Sequence, residues 1–427
     1  MAGVSRVRAR TGVAARARRV LGLPAAAWGV VGGAVGPDAR QSLVALALNS
    51  STSLLAGAVL SSLTDTFERL PGLLVLVPAA IGLRGNIFGS FGNRTSTAIH
   101  AGELRFTTRP SSVLGQNVLA AGVLTMVMSA LLALIAVGVS KGLGLGETVG
   151  IDELALVSIA GGVLASIPVL AATLGLASGA VRYGWDLDNV TAPLVSTLGD
   201  VITLPALWVA TGLVGFGLLT GGLAGGLVLA SVAALVLALR ARLALLRRIV
   251  RESLPILIVA AVVSTLAGVV LEKRLTAFAT LPALLILVPA HLSSAGALGG
   301  ILSGRLSSKL LLGLVEPAGI PSPAARADLV LVTAVGLPTY ALNGAAAHVL
   351  AGWLGQASPG LAQMVAASLL GGVLAIAVVL VIAYYGTITA VRAGVDPDSY
   401  GIPVVSSSVD LVGALTLVLA IAVLGLH

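Results

Sequence analysis

The chain of 427 residues contains no cysteine and only four histidines. The lack of cysteine excludes disulfide bonds, iron–sulfur clusters and metal sites built from thiolates. A metal ion bound to this chain must therefore be held by oxygen ligands or, less favourably, by one of the few imidazoles.

Charged residues are also scarce. They make up 10% of the chain, whereas soluble domains average about 25%. Apolar residues account for 57%, and the mean hydropathy is +1.06. This composition excludes a soluble globule and predicts an all-α, polytopic membrane protein whose surroundings are the lipid bilayer. The net charge of +8 does not indicate a nucleic-acid partner, because the basic residues lie at the ends of apolar segments, where membrane orientation explains them.

Eleven apolar runs are long enough to cross a bilayer, which takes about 20 residues. A Gly-rich stretch, 215–226, separates the fifth run from the sixth, so these two could form two helices or one. Eleven spans with a cytoplasmic N-terminus place 20 of the 25 Lys and Arg on the cytoplasmic side and the C-terminus outside. Removing the sixth span would move the arginines of 240–251 outside, so eleven spans are favoured. The runs are 41–63, 70–92, 112–139, 153–181, 190–214, 218–239, 253–271, 281–303, 327–355, 361–390 and 403–425.

The chain also contains an internal repeat. The stretch Leu70–Ala79 recurs at Leu281–Ala290, an offset of 211 residues. This predicts two five-helix units, and the sixth span restores the second unit to the orientation of the first, which makes the repeats parallel. The expected divisions are a basic cytoplasmic arm with an interfacial segment at 1–40, a first repeat at 41–217, a linker helix and basic loop at 218–250, and a second repeat at 251–427.

A polar frame, Arg-x-Gly-x-Asp-x-Asp-x4-Pro-x2-Ser-[Ser/Thr]-x2-Asp, occurs from Arg182 to Asp200 and again from Arg392 to Asp410. An ionised carboxylate near the bilayer centre is costly unless it faces water, a cation or a partner. Two such carboxylates in one frame therefore indicate that Asp200 and Asp410 form two halves of one cation site. Carboxylate and hydroxyl oxygens suit hard cations such as Mg²⁺, Ca²⁺ or Mn²⁺, and a symmetric Asp pair matches a hydrated Mg²⁺.

The spacing i, i+3, i+4, i+7 places the proline, the two hydroxyl residues and the last aspartate of each frame on one helical face. We expect both prolines in the first turn of a helix, and these faces to line a central path. The earlier aspartates of each frame could be helix N-caps or could attract cations at the cytoplasmic mouth. The expected pore-lining residues are Pro193, Ser196, Thr197, Pro403, Ser406, Ser407 and Asn86, and the mouth residues are Asp186, Asp188, Asp396 and Asp398.

The second span carries glycines at 82, 85, 89 and 92, which predict close backbone approach or local unwinding. Its counterpart in the second repeat has Ala297 in place of Asn86 and Ala295 in place of Arg84, so the halves are not equivalent there. His291 lies opposite Ala80 of the first repeat, and we expect it to be a core residue more than a proton or metal site.

On these motifs the chain resembles the membrane domain of MgtE-type magnesium transporters, and more closely the duplicated MgtE-like solute carriers. The shared features are Leu-Pro-x6-Pro from Leu70 with Gly85-Asn86, the trailing Arg94-x-Ser96-Thr97, and the frame that ends in Asp in both halves. The resemblance implies a pore lined by the second and fifth helices of two units. It implies that Asp200 and Asp410 hold Mg²⁺ and that Asp186 and Asp396 contribute to a cytoplasmic cation site.

The leading hypothesis is therefore Mg²⁺-preferring divalent-cation transport in the cell membrane by a single chain that acts as a pseudo-dimer, without an organic cofactor. One alternative is a Na⁺- or H⁺-coupled antiporter that uses the same site. A remote alternative is an intramembrane aspartyl protease, whose two aspartates would share a proton. The protease is disfavoured because the two Asp contexts are copies of each other, so an enzyme is not expected.

Overall fold

The computed structural model describes residues 37–100, 107, 109–144, 149–183, 187–311, 313–392 and 402–426. These residues form thirteen α-helices and no strand. The first half contains α1 (Pro37–Ser62), α2 (Thr64–Arg69), α3 (Leu73–His100), α4 (Val113–Gly142), α5 (Ile151–Tyr183) and α6 (Leu187–Thr211). After α7 (Leu218–Arg240), the second half contains α8 (Ala244–Glu272), α9 (Leu275–Thr280), α10 (Ala283–Leu311), α11 (Pro323–Trp353), α12 (Leu361–Arg392) and α13 (Ile402–Val423).

Eleven of these helices are long, and α2 and α9 are single short helices of six residues. Nine helices among the described residues are long and apolar enough to cross a membrane, and Thr197–Thr211 of α6 is a shorter apolar segment. This confirms the all-α, polytopic prediction. The fifth and sixth runs are separate helices, because α6 ends at Thr211 and the connection contains Gly215 and Gly217 at φ values of 95° and 57°, which favour glycine.

The two halves exchange their first helices. Helix α1 packs against α10 of the second half, and helix α8 makes the matching contact with α3 of the first half. Each crossing is made possible by a glycine: a Cβ on Gly57 would lie 2.7 Å from the carbonyl carbon of Ile286, and a Cβ on Gly268 would lie 2.7 Å from that of Val75. Both pairs are related by the same 211-residue offset, so the crossing is a repeated feature of the fold.

Helices α3 and α10 occupy the middle of the bundle. Their first turns, 73–80 and 283–290, are buried at every position, because α3 contacts α4, α5, α6 and α8 while α10 contacts α1, α11, α12 and α13. A segment buried on all sides must be apolar all round. This explains why the repeated Leu- and Val-rich stretch contains no polar residue.

Helix α3 is continuous from Leu73 to His100, so of the two alternatives expected for its glycines, local unwinding does not occur. Close approach to another helix occurs at Gly85, whereas a Cβ on Gly89 would meet nothing within 4 Å outside its own helix. A Cβ on Gly199 of α6 would lie 3.4 Å from the Cβ of Arg84 and 3.7 Å from the amide nitrogen of Gly85. Small residues on α3 and α6 therefore bring these two helices together.

A buried arginine in the first half is replaced by an aromatic pair in the second. Arg84 is 2% exposed and donates from Nη1 to the Ala80 carbonyl at 2.8 Å and from Nη2 to Ser129 Oγ at 3.2 Å. The residues at the matching positions are His291, Ala295 and Tyr340. The rings of His291 and Tyr340 lie 4.7 Å apart by their centroids and are fully buried. One large side chain in one half thus corresponds to two rings in the other, which keeps the core filled.

The second half carries a charge cluster between α10 and α11. Asp328 is 1% exposed and accepts from Arg305 Nε at 2.8 Å and from Lys309 Nζ at 2.5 Å. In the first half the matching contact is neutral, because Arg94 Nε donates to the amide oxygen of Asn117 at 2.7 Å. The equivalent helix–helix contact is therefore made by an ion-pair cluster in the second half and by a single hydrogen bond in the first.

Replacing Asp328 by Asn is expected to destabilise the protein by about 2 kcal/mol or more, because it leaves two cations without their shared carboxylate. The matched control is Asp65→Asn on α2, where the carboxylate is exposed, and it should cost about 0.5 kcal/mol or less. Thermal unfolding of the purified protein in detergent measures both. Equal melting temperatures for the two variants would contradict the structural role of Asp328.

Candidate functional site

Oxygen atoms from three helices converge around Asp200, near the middle of α6. The carboxylate is 7% exposed, and its Oδ2 accepts a hydrogen bond from Ser53 Oγ of α1 at 3.2 Å. Ser293 Oγ of α10 lies 3.5 Å from the same oxygen and donates to Asn49 Oδ1 at 3.0 Å. Because a hydroxyl has one hydrogen, the shorter contact to Asn49 takes it, and the Ser293 oxygen keeps its lone pairs beside Asp200.

Asp410 of α13 has the corresponding surroundings in the second half. Its Oδ2 and the Oγ of Ser264 both lie 3.7 Å from the position that a Cβ would occupy on Gly82. Ser264 belongs to α8 and Gly82 to α3, which are the counterparts of α1 and α10. Asp410 is partly exposed and interacts electrostatically with Asp200. Each carboxylate is thus surrounded by the equivalent elements of the two halves.

Each half-site combines residues from both halves of the chain. Asp200 and Ser53 come from the first half, whereas Ser293 comes from the second; Asp410 and Ser264 come from the second half, whereas Gly82 comes from the first. This composition follows from the exchange of the first helices, which seats α1 on α10 and α8 on α3. Neither half of the chain holds a complete site by itself.

The half-sites differ in the number of oxygen atoms that they offer. Around Asp200 the neighbours Ser53, Ser293 and Asn49 all carry side-chain oxygen. In the second half, Gly82 stands at the position of Ser293 and Ala260 at that of Asn49. Asp410 therefore retains only the hydroxyl of Ser264 from this set, and the site is only approximately twofold.

The remaining predicted pore residues are placed unevenly. Thr197 and Ser406 are partly exposed, Ser407 is 1% exposed, and Asn86 is partly buried beside a small cavity between α3 and α8. Pro403 lies in the first turn of α13, as predicted. Pro193 does not lie in a first turn: α6 already begins at Leu187, so Pro193 is its seventh residue. The helix begins about one turn earlier than the proline spacing indicated.

Several predicted residues cannot be placed at the site. Asp186, Asp396 and Asp398 lie outside the described residues. The side chains of Asp188, Pro193, Ser196 and Pro403 also lie outside them, although their backbones are part of α6 and α13.

Sequence reasoning missed Ser53, Ser264 and Ser293 as neighbours of the aspartates. A signal for the first two exists, because Ser-x-Leu-Ala-Gly occurs at 53–57 and again at 264–268, at the same offset of 211. In each copy the serine contacts the carboxylate and the glycine makes the helix crossing one turn later. Ser293 has no such signal, because its counterpart is a glycine.

His291 is not arranged as a metal ligand. Its ring is fully buried against Tyr340, and neither ring nitrogen has a hydrogen-bond partner among the described residues. Those residues also contain no group of three or more His, Asp or Glu that could hold a metal ion. A cation near Asp200 and Asp410 would therefore depend on two carboxylates, neighbouring hydroxyl and amide oxygens, and its own water.

Comparison with known proteins agrees with this architecture. A family model described as MgtE, divalent cation transporter, matches the chain twice, at residues 77–210 and 288–420. Solute carrier family 41 member 2 of Xenopus laevis is 26% identical over 413 residues, which is 90% of this chain and 72% of the relative. The Homo sapiens member 2 is 26% identical over 411 residues, 90% of this chain and 70% of the relative. Member 3 of Rattus norvegicus is 26% identical over 177 residues, 39% of this chain and 37% of the relative.

No solved structure gives a significant match to the chain. The family matches together cover more than half of it, and each match contains one of the two intramembrane aspartates. One match falls on each of the two sets of helices. The protein is a multi-pass membrane protein, and its chain belongs to the MgtE family of divalent cation transporters.

Proposed function

We propose that this protein carries Mg²⁺, in preference to other divalent cations, along a path between its two halves, with Asp200 and Asp410 as the two sides of one ion site. The observation that carries the proposal is the pair of equivalent carboxylates, each on the fifth long helix of its half and each beside a serine of a first helix. Their electrostatic interaction is repulsive when both are ionised. A divalent cation between them removes that repulsion.

The donor set supports a hard cation that keeps part of its hydration shell. Mg²⁺ dehydrates reluctantly and is commonly bound through one or two carboxylates plus water. Hydroxyl and amide oxygens such as those of Ser53, Ser293 and Asn49 can accept hydrogen bonds from the waters of such an ion. We propose that they position the hydrated ion and that the carboxylates supply the charge.

The chain is proposed to be oriented in the membrane as a pseudo-dimer of two parallel repeats. The N-terminus is cytoplasmic and the C-terminus outside, in accordance with the excess of Lys and Arg in the segments assigned to the cytoplasm. The repeats comprise 41–217 and 251–427, joined by 218–250, so that one chain acts as a pseudo-dimer. The aspartates Asp186, Asp188, Asp396 and Asp398 attract cations to the cytoplasmic mouth, and the polar faces of α6 and α13 line the path.

Purified protein in liposomes that contain a Mg²⁺ indicator tests the proposal. Addition of external Mg²⁺ should raise the indicator signal, and Ca²⁺ should compete less strongly than Mn²⁺ or Co²⁺, because Ca²⁺ is larger and favours more protein ligands. Folded, inserted protein that conducts no divalent cation would contradict the proposal. Imposed Na⁺ or pH gradients distinguish a passive path from a coupled antiporter, since only the antiporter drives Mg²⁺ against its own gradient.

The hydroxyl at position 293 provides a finer prediction. Ser293→Ala is expected to raise the Mg²⁺ concentration for half-maximal uptake about tenfold, because hydrogen bonds to charged or strongly polarised groups contribute roughly 1.5 kcal/mol. Ser303→Ala on the same helix is the matched control, since its buried hydroxyl has no hydrogen-bond partner among the described residues. Unchanged uptake by Ser293→Ala would show that this oxygen does not contact the hydrated ion.

A further inference from the structure

A polar stripe runs along α3 from the Asp410 half-site toward the cytoplasmic end. Gly82, Asn86, Ser90 and Arg94 are each separated by four residues, so they lie on one face of the helix. Gly82 faces Asp410, and the other three line a cavity of about 30 Å³ between α3 and α8. A cavity of this size holds one or two water molecules.

The cavity continues the polar surface from α3 onto α8. Ser253 of α8 lines it opposite Asn86 and Ser90, and Ile256 and Leu257 complete the same wall. Amide and hydroxyl oxygens can accept hydrogen bonds from the waters of a moving hydrated cation, the role proposed for the hydroxyl and amide oxygens at the aspartate site. Polar groups therefore lie along the contact between α3 and α8, called the α3–α8 seam, from Asp410 to the cytoplasmic side.

Toward the cytoplasmic end, the described side chains of the equivalent seam between α1 and α10 are apolar, and the side chain of Ser42, the counterpart of Ser253, lies outside the described residues. The residues that correspond to Asn86 and Ser90 are Ala297 and Ile301, and both pack against a buried hydrophobic cluster. That cluster includes Leu46 of α1 together with Leu298 and Leu302 of α10, each 1% exposed or less. A cation on this side would have to leave its water in contact with hydrocarbon, which is strongly unfavourable.

The cytoplasmic ends of the two seams are also closed differently. Arg305 and Lys309 are held by buried Asp328 at the end of the α1–α10 seam, whereas Arg94 is held through its Nε by the neutral amide of Asn117. Arg94 also presents a buried Nη2 that has no hydrogen-bond partner among the described residues. Displacing Arg94 breaks one hydrogen bond to an uncharged group and weakens a solvent-screened attraction to the exposed Glu252, whereas opening the other end breaks two charge-assisted contacts to a buried carboxylate.

We infer that the cytoplasmic ion route is one-sided: it follows the α3–α8 seam below Asp410, past Asn86, Ser90 and Ser253, and the α1–α10 seam below Asp200 stays sealed. The inference rests on the proposed function, because it specifies how ions leave or enter the same aspartate site. Arg94 closes the route in this conformation, since its positive charge repels a cation until the side chain moves. Asp200, buried and surrounded by more oxygen atoms, acts as the fixed side of the site, and Asp410 as the side that opens.

The lack of cysteine makes this inference directly testable, because one introduced cysteine is the only thiol in the protein. Ser90→Cys and Ile301→Cys form a matched pair at equivalent positions of the two repeats. A small, positively charged, membrane-impermeant methanethiosulfonate reagent is applied to the cytoplasmic face of protein in liposomes without Mg²⁺, and its reaction at position 90 reports the openings in which Arg94 has moved aside. Ser90→Cys should react about tenfold faster or more than Ile301→Cys, because only it borders a polar cavity. Arg248→Cys, at an exposed position, verifies that the reagent reaches the protein.

Equal rates, a faster rate at Ile301→Cys, or no reaction of Ser90→Cys while Arg248→Cys reacts would each overturn the one-sided route. Uptake gives a second measurement: Ser90→Ile copies the apolar residue of the other repeat and should reduce Mg²⁺ flux about tenfold or more, whereas Ile301→Ser should leave it within about twofold. Equal loss in both variants also overturns the inference. Unequal labelling in a protein that conducts no divalent cation would instead contradict the proposed function and leave the polar seam in place.

Discussion

Asp200→Asn and Asp410→Asn should each lower Mg²⁺ uptake about 100-fold or more, because each removes one of the two charges that face the ion in a low-dielectric site. Asparagine has nearly the same shape and can still accept a hydrogen bond from Ser53 or Ser264. The loss should therefore reflect missing charge and not a collapsed site. Uptake by proteoliposomes at several Mg²⁺ concentrations measures it.

The control for these variants is Asp65→Asn, on the short helix α2, where the carboxylate is exposed. It removes the same charge from the chain and should leave uptake unchanged. The double variant should be hardly worse than either single one, since residues that act as one unit are not additive. Undiminished uptake by both single variants would refute the role of the aspartates as the ion site, and additive losses would show that they act separately.

Gly57→Ala and Gly268→Ala should destabilise the protein strongly. The new Cβ would overlap the carbonyl group of Ile286 or Val75 on the crossing helix. The obstructing atoms belong to a helix backbone that is buried on all sides, so they cannot turn away as a side chain could. Overpacking usually costs about 1 to 3 kcal/mol, and we expect the upper end of that range or beyond. Thermal unfolding and the fraction of monodisperse protein in detergent report the change.

Two helical glycines with open surroundings are the controls. A Cβ on Gly122 of α4 or on Gly296 of α10 would meet nothing within 4 Å outside its own helix. Ala in place of these should be neutral or slightly stabilising, because Ala has a higher helix propensity than Gly. If Gly57→Ala and Gly268→Ala were as stable as these controls, the close crossing of the exchanged helices would be wrong.

The exchanged helices connect stability with the proposed ion site. Ser53 and Gly57 lie one turn apart on α1, as Ser264 and Gly268 do on α8. The helix that supplies a hydroxyl to the carboxylate is therefore held against the opposite half immediately beside the site. Any movement that separates the halves must also change the distance between Asp200, Ser53 and Ser293. The proposed ion site and the interface between the halves are consequently expected to respond to each other.

Fusion of both repeats into one chain permits equivalent positions of the two halves to carry different residues. In a symmetric pair, one gene copy would place the same residue on both sides of the axis. Here the repeat-equivalent residues differ: Ser293 corresponds to Gly82, Ile301 to Ser90, and Asp328 to Asn117. The paired changes at Arg84 and at His291 with Tyr340 show that even the buried core has diverged between the halves while remaining packed.

The amino-acid sequence alone was sufficient to predict the membrane class, the long helices, the repeat and the two aspartates. These features depend on composition, on the length of apolar runs and on the cost of an intramembrane charge, all of which are local properties. One error, the first-turn position of Pro193, arose because surrounding helices stabilise a continuous helix despite proline. For the same reason the glycines of α3 do not unwind that helix, which leaves the other expected alternative, close approach.

Only the tertiary structure revealed that α1 and α8 are exchanged, and therefore that Ser53, Ser264 and Ser293 lie beside the carboxylates. Membrane helices associate through close packing of small residues, and a Gly-containing helix has several apolar surfaces on which it could dock. The repeat shows that two halves match, but it does not show whether a helix contacts its own half or the other. That choice depends on how the complete surfaces of α1 and α10, and of α8 and α3, fit together at Gly57 and Gly268.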